Sequence, residues 1–180
     1  MTEFLLLAPA VVYVVVQSRG KDRTFTSALE RVGASRGSAA TYGWALLLLP
    51  LLLLTAWLSI ALIPAGVLES PGVSIARFTS VGIAIGVVLR AVSEEVFFRG
   101  LLAGVLIRRI GFLWGNLLQA VVFLLPHLPL LLIDARLLPI LPVQFLTGWL
   151  LGWLRHKTGS FVPGALLHAV VNITAGLITL

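Results

Sequence analysis

The chain has 180 residues, of which 59% are hydrophobic and only 11% charged, and its mean hydropathy is +1.06. A soluble domain carries about 25% charged residues, so this chain lacks the polar surface to stay monomeric in water. The net charge of +6 does not point to nucleic acid, because the basic residues cluster in short links between apolar runs, as integral membrane proteins place them.

The apolar runs are continuous and do not alternate at period two, which argues against a β-barrel. They predict an all-α, polytopic helical membrane protein with about six transmembrane helices and any site in the bundle interior. Cysteine is absent, so neither disulfides nor thiol chemistry is available.

The first apolar run, Phe4 to Val16, is short for a span, which needs about 17–25 residues. It lacks a basic n-region, with Glu3 before it and Arg19, Lys21 and Arg23 after it, so it reads as a retained anchor or short span. A polar connection over 18–40 leads to a second span, Tyr42 to Leu68, in which Pro50 and Pro64 should introduce kinks. Glu69-Ser70-Pro71-Gly72 is a turn by composition. Residues 74–109 then form one helical stretch of roughly 54 Å if straight, against a bilayer core of about 30 Å. It must tilt, protrude or break, and Arg90–Ser93 is a candidate break. Gly111 restarts the chain for a fourth span, Phe112 to Leu128, followed by a loop or partial helix over 130–136. A fifth span runs from Leu137 to Leu154, with Pro139 and Pro142 near its start. A polar turn, Arg155 to Ser160, precedes the last span, Val162 to Leu180.

Charge counting orients this layout. The links 18–40, 108–111 and 155–160 hold nine of the thirteen Lys and Arg residues, whereas the links 69–73 and 129–136 hold only Arg136. The first group is therefore assigned to the cytoplasm, and both termini to the other side. Residues 1–72 make up N-terminal spans with a basic cytoplasmic loop, and residues 73–180 the core that carries the polar motifs.

Few strong polar groups remain at membrane depth, and a charge there is a functional-site hypothesis by default. Glu94 and Glu95 are adjacent, two of only seven acidic residues. Three pairs have four-residue spacing, which puts each on one helix face: Glu95 with Arg99, Phe123 with His127, and His168 with Asn172. If Arg99 neutralises Glu95, then Glu94 projects elsewhere and is suited to act as a general base. The alternative is a charge-balanced structural network that also includes Arg90, four residues before Glu94. An intramembrane His is equally often a helix–helix hydrogen-bonding group. Glu94, His127 and His168 could also ligate a metal, although no His-Glu-x-x-His helix is present. His168 and Asn172 side by side can donate to a developing oxyanion, or Asn172 can serve as interhelical glue. Phe123 reads as packing, His156 as a solvated turn residue, and Asn116, Gln119 and Gln144 as glue.

Taken together, Glu94-Glu95-x-x-x-Arg99, Phe123-x-x-x-His127 and His168-x-x-x-Asn172 resemble the motifs of the CAAX protease and bacteriocin-processing (CPBP, or ABI) family of intramembrane proteases, which includes the Rce1-type prenyl endopeptidases. Phe98-Arg99-Gly100 and Gly159-Ser160-x-x-Pro163 fit as well, and the resemblance covers about residues 75–180. It implies a membrane-embedded endopeptidase in which Glu94 and His127 activate a water, His168 and Asn172 stabilise the oxyanion, and Glu95 and Arg99 orient the site. A metal-free mechanism without a cofactor is favoured, because Asn172 and the paired Glu95 suit oxyanion and charge-support roles. A divalent metal such as zinc, held by Glu94, His127 and His168, is the other view of the family. The expected partners are the lipid bilayer and a membrane-associated peptide or protein substrate. The short chain looks prokaryotic, which places it in the cytoplasmic (inner) membrane. A non-catalytic scaffold or bacteriocin self-immunity protein of the same fold is the alternative reading, and retention of all six motif residues argues against it. A small transporter would need a repeat or paired broken helices that the sequence does not display.

Overall fold

The computed structural model describes residues 5–20, 23–73 and 80–178, and among them every regular element is helical. Helix α1 (Leu7–Ser18) is followed by α2 (Phe25–Val32), α3 (Ala39–Ala61), α4 (Ala65–Leu68) and α5 (Val81–Glu94). A π-helical segment, Glu95–Ala103, continues α5 into α6 (Gly104–Leu124). Short α7 (Leu130–Ile133), α8 (Ile140–Thr158) and α9 (Val162–Ile178) complete the bundle.

Three stretches, Ala39–Ala61, Val81–Ile133 and Ala135–Thr158, are long and apolar enough to cross a membrane. The longest doubles back on itself. Gly111 adopts φ 80° and ψ 169°, a region open essentially to glycine alone. The two arms then run side by side, with the Phe98 and Phe123 rings 5.0 Å apart. A Cβ on Gly115 would lie 2.6 Å from the Ile107 nitrogen, so the arms touch backbone to backbone near the turn. Helices α1 and α9 are apolar but shorter. This is the expected all-α, polytopic membrane architecture.

Several boundaries differ from the sequence reading. The second span stops at Ala61, and Pro64 starts the separate short helix α4 instead of kinking a longer one. Pro50 remains inside α3. No break occurs over Arg90–Ser93: α5 is continuous there, and the irregularity is the π-helical widening that begins at Glu95. Residues 74–79 of that stretch lie outside the described residues. The fourth span ends at Leu124, because Pro126 has no N–H to continue the ladder and the chain tightens into a 3₁₀ turn over Leu125–His127. The fifth span starts at Ile140 and extends to Thr158, so Arg155, His156 and Lys157 form its last turn. Positive charge at a helix C-terminus suits the macrodipole. His156 is exposed, as expected, and stacks on Phe112 at 4.5 Å. The connection 18–40 is not simply polar loop: α2 is capped by a reciprocal Thr24–Ser27 box and ends on Gly33 at φ 76°.

Polar and apolar contacts between helices hold the bundle together. Gln119 donates to the Gly148 carbonyl at 2.7 Å and to Asn116 Oδ1 at 3.2 Å, and Asn116 donates to the Trp149 carbonyl at 3.1 Å. The two bonds to the Gly148 and Trp149 carbonyls join α6 to α8, as the reading of Asn116 and Gln119 as interhelical glue requires. They need Gly152, where a Cβ would fall 1.9 Å from Asn116 Oδ1. Helix α3 packs on α8 and α9 through Ala45, Leu52, Leu151, Leu154, Leu167 and Val171. At one end of the bundle, Arg108 binds the Arg31 carbonyl and the Tyr13 hydroxyl, and Arg155 binds the same carbonyl. At the other end, Ile63, Val67 and Leu137 cluster, with Val73, Leu130 and Ile140 packed against them.

Gly111→Ala should cost about 1–3 kcal/mol, because the backbone conformation is strained for any residue with a Cβ while the space around it is open. Denaturant unfolding in mixed micelles measures this, and an unchanged midpoint would show that the hairpin turn does not depend on glycine.

Candidate active site

The site is assembled around the step from α5 into the π-helical segment. Widened turns of this kind are often found at functional sites, and here the step separates two consecutive carboxylates into different surroundings. Glu95 is completely buried, whereas the Glu94 side chain keeps 17% exposure and lines a cavity of about 640 Å³.

Glu95 Oε1 meets Arg99 Nη1 at 2.8 Å, both side chains being fully buried. Arg99 also donates to the Thr147 carbonyl on α8 at 3.3 Å and lies 4.1 Å above the Phe123 ring. The expected four-residue pair therefore exists, and it is anchored to two other helical segments. Glu95 Oε2 and Arg99 Nε are buried without a hydrogen-bond partner. Unsatisfied atoms of this kind are rare in interiors.

His168 stands between the two carboxylates. Its Nδ1 donates to Glu95 Oε1 at 2.9 Å, and its Nε2 lies 3.8 Å from Glu94 Oε2. A ring held at one nitrogen by a carboxylate is fixed in both orientation and tautomer, which leaves Nε2 directed at Glu94. The spacing of Glu95 and Arg99 gave no sign of this second role for Glu95, since His168 is 73 residues away in sequence.

His127 is set by the end of α6. Its Nδ1 lies 3.1 Å from the Phe123 carbonyl, which can only accept. The proton therefore sits on Nδ1, and Nε2 carries the free lone pair of the neutral ring. The Pro126 irregularity thus coincides with the turn that ties down His127. His127, Glu94, His168 and the half-buried Asn172 all line the same cavity, together with Arg90, Gln144 and Thr147.

Phe123 is more than local packing. Fully buried, its ring lies 5.3 Å from His127, 6.1 Å from His168 and 5.0 Å from Phe98, besides carrying Arg99. A Cβ on Gly148 would come 3.2 Å from it, so α8 can pass close by. Aromatic and cation–π contacts of this kind are each worth about 0.5–2 kcal/mol. A phenylalanine four residues before a histidine hinted at this position, but only the folded chain brings Arg99 and His168 to the same ring.

As a ligand set, Glu94, His127 and His168 are not gathered on one point. Among the described residues no group of three or more His, Asp or Glu side chains is arranged to hold a metal ion. The ring of His168 is turned to carboxylates at both nitrogens, and Nδ1 of His127 is turned to a backbone carbonyl.

Fold and site together define a polytopic helical membrane protein with a cavity inside the bundle, mostly apolar in its walls, into which a carboxylate and two histidines are set. Residues 76–174, more than half of the chain, match the family described as type II CAAX prenyl endopeptidase, Rce1-like, and the chain belongs to that family. No curated protein and no solved structure matches it.

Arg99→Met should destabilise the fold by about 3–5 kcal/mol, because it leaves the Glu95 carboxylate buried without its charge partner. The double variant Glu95→Gln, Arg99→Met should be more stable than Arg99→Met alone. Losses that simply add, measured by the same unfolding assay, would show that the two charges do not stabilise each other.

Proposed function

We propose that the protein is an intramembrane endopeptidase that hydrolyses a peptide bond in a membrane-associated polypeptide, with Glu94 as general base. The observation that carries this reading is the split environment of the acidic pair: Glu95 is sealed with Arg99, whereas Glu94 reaches the cavity opposite His168 Nε2. Membership of the Rce1-like family supports it.

In the proposed reaction a water bound between Glu94 and His127 Nε2 loses a proton to Glu94 as its oxygen attacks the scissile carbonyl carbon. The carbonyl oxygen becomes an oxyanion, which accepts hydrogen bonds from Asn172 Nδ2 and from His168 Nε2 when the ring carries its second proton. Collapse of the tetrahedral species breaks the C–N bond, and the proton held by Glu94 passes to the departing amine. Glu95 and Arg99 are positioning residues: they touch no substrate and act by holding His168. Phe123 supports both histidines from behind. Residues 73–180 form the catalytic core, and the N-terminal region braces it and contributes Ala56, Ser59 and Ile60 to the cavity wall. The setting is the cytoplasmic membrane of a prokaryote.

The reaction is proposed as metal-free, supported by the poor convergence of Glu94, His127 and His168 on a single point. Activity should therefore survive chelator treatment, and activity lost to a chelator and restored by zinc would overturn that part of the scheme.

Glu94→Gln and His127→Ala should each reduce cleavage by at least 10²-fold, the lower end of what a general acid or base supplies. Both should still be recovered folded from the membrane, since neither residue belongs to the sealed Glu95–Arg99 pair. Undiminished cleavage by Glu94→Gln would remove the basis of the mechanism.

A further inference from the structure

A second cavity, of about 250 Å³, is formed by α1, α2 with the chain leading into it, and the arm of α6 that precedes Gly111. Its polar wall consists of Tyr13, Gln17, Arg23, Arg31, Arg108 and Arg109. Four guanidiniums share this wall, and no carboxylate among the described residues lines it. None of these side chains takes part in the chemistry proposed for Glu94. Tyr13, Gln17, Arg23 and Arg31 also lie outside the family match over 76–174.

The hydrogen bonds already made decide what this wall can receive. Arg23 donates to Gln17 Oε1, and Arg108 donates to the Tyr13 hydroxyl at 3.0 Å. Both oxygens are thus engaged as acceptors, which leaves the Gln17 amide N–H groups and the Tyr13 O–H to donate. Arg108 gives a second bond to the Arg31 carbonyl at 3.1 Å, and Arg155 donates to the same carbonyl at 3.3 Å. That carbonyl is neutral, so it gathers two cations without matching their charge. The exposed Arg31 and Arg109 side chains have no hydrogen-bond or ion-pair partner among the described residues. Unused donors and positive charge are complemented by an anion that only accepts. A phosphate group meets that demand, and a guanidinium fork binds two of its oxygens at once.

The surroundings indicate what carries the phosphate. Val12 and Val16, beside Tyr13 and Gln17 on α1, are exposed apolar residues, as are Ile110, next to Arg109, and Trp114 past the turn. An apolar belt that ends in a basic rim is where acyl chains give way to headgroups, and basic pockets between helices hold anionic headgroups there. We propose that this cavity binds a phosphate group, carried by the headgroup of an anionic phospholipid whose acyl chains lie along α1. The lipid bridges α1, α2 and α6, and so joins the N-terminal region to the core. A Cβ on Gly100, next to Arg99, would lie 3.1 Å from the Val32 carbonyl of α2. A headgroup that holds α2 in place therefore also supports the segment carrying the buried Glu95–Arg99 pair.

Binding of phosphatidylglycerol to the delipidated protein in dodecyl maltoside, read by native mass spectrometry, tests this. The pair Arg31→Gln, Arg109→Gln should weaken binding by roughly tenfold or more, the scale set by two basic groups beside an anionic headgroup. Neither side chain has a partner among the described residues, so the fold should persist. The pair Arg19→Gln, Arg36→Gln removes the same charge from residues that do not line the cavity, and should bind as the wild type does. Equal weakening by both pairs would reduce the effect to general surface charge and overturn the site, as would undiminished binding by the Arg31, Arg109 pair. Should that pair not be recovered folded, Arg31→Lys, Arg109→Lys keeps both charges, loses the planar forks and should still weaken binding. Unchanged affinity there would overturn the proposal. Two competitors then identify the ligand. Inorganic phosphate should displace the lipid only at far higher concentration, and displacement at matching concentration would assign the cavity to free phosphate and overturn the lipid. Oleate, a lipid carboxylate, should compete poorly, and competition equal to that of phosphatidylglycerol itself would overturn the preference for phosphate.

Discussion

The burial of Arg99 is the constraint on which the rest of the bundle depends. A guanidinium with no exposed surface is tolerated in an apolar interior only when its charge is matched. Glu95 supplies the charge, the Thr147 carbonyl takes another donor, and the Phe123 ring covers the flat face of the cation. Meeting these demands brings the π-helical segment, α6 and α8 into fixed register. Glu95, already committed to Arg99, then extends its hold to His168 and so ties α9 to the same point. One buried cation thereby organises four segments of the chain around the wall of a single cavity.

Close approach of the helices is provided by glycine at particular places. Gly148 makes room for Phe123, and Gly152 for the Asn116–Gln119 clasp. At Gly100 a Cβ would come 3.1 Å from the Val32 carbonyl and 3.3 Å from Phe161. The glycine of Phe98-Arg99-Gly100 is thus where α2 and the start of α9 press on the π-helical segment. Gly159-Ser160 has a comparable structural explanation. Gly159 ends α8 at φ 72°, and Ser160 receives the Val162 N–H while donating to the Ser35 carbonyl. Neither element reaches the cavity; both fix the height at which α9 begins, and hence the position of His168.

Much of this was legible in the sequence because the relevant physics is local. Continuous apolar runs declare helices, and a four-residue spacing declares a shared face, so the membrane class and the Glu95–Arg99 pair could be read directly. Contacts made across the fold could not. Nothing near His168 in sequence marks it as a partner of Glu95, and Phe123 looked like ordinary packing because only the folded chain places Arg99 against its ring. The expected break over Arg90–Ser93 arose from treating excess helix length as something a kink must absorb. The chain instead changes helix type at Glu95 and turns back at Gly111. Pro64 was misplaced for a related reason: proline ends one helix as readily as it bends one, and apolar residues on both sides hide the difference.

The sequence separation within the polar cluster also bears on how the protein is made. Glu95 and Arg99 lie on one helical segment and can neutralise each other as soon as that segment enters the bilayer, before any later helix has been synthesised. His168 belongs to the last helix, 73 residues further along. A nascent chain therefore carries its costliest charges into the membrane already compensated, yet Glu94 has no His168 imidazole opposite it until α9 is inserted. Any chain released before that point would lack both His168 and Asn172 from the cavity wall.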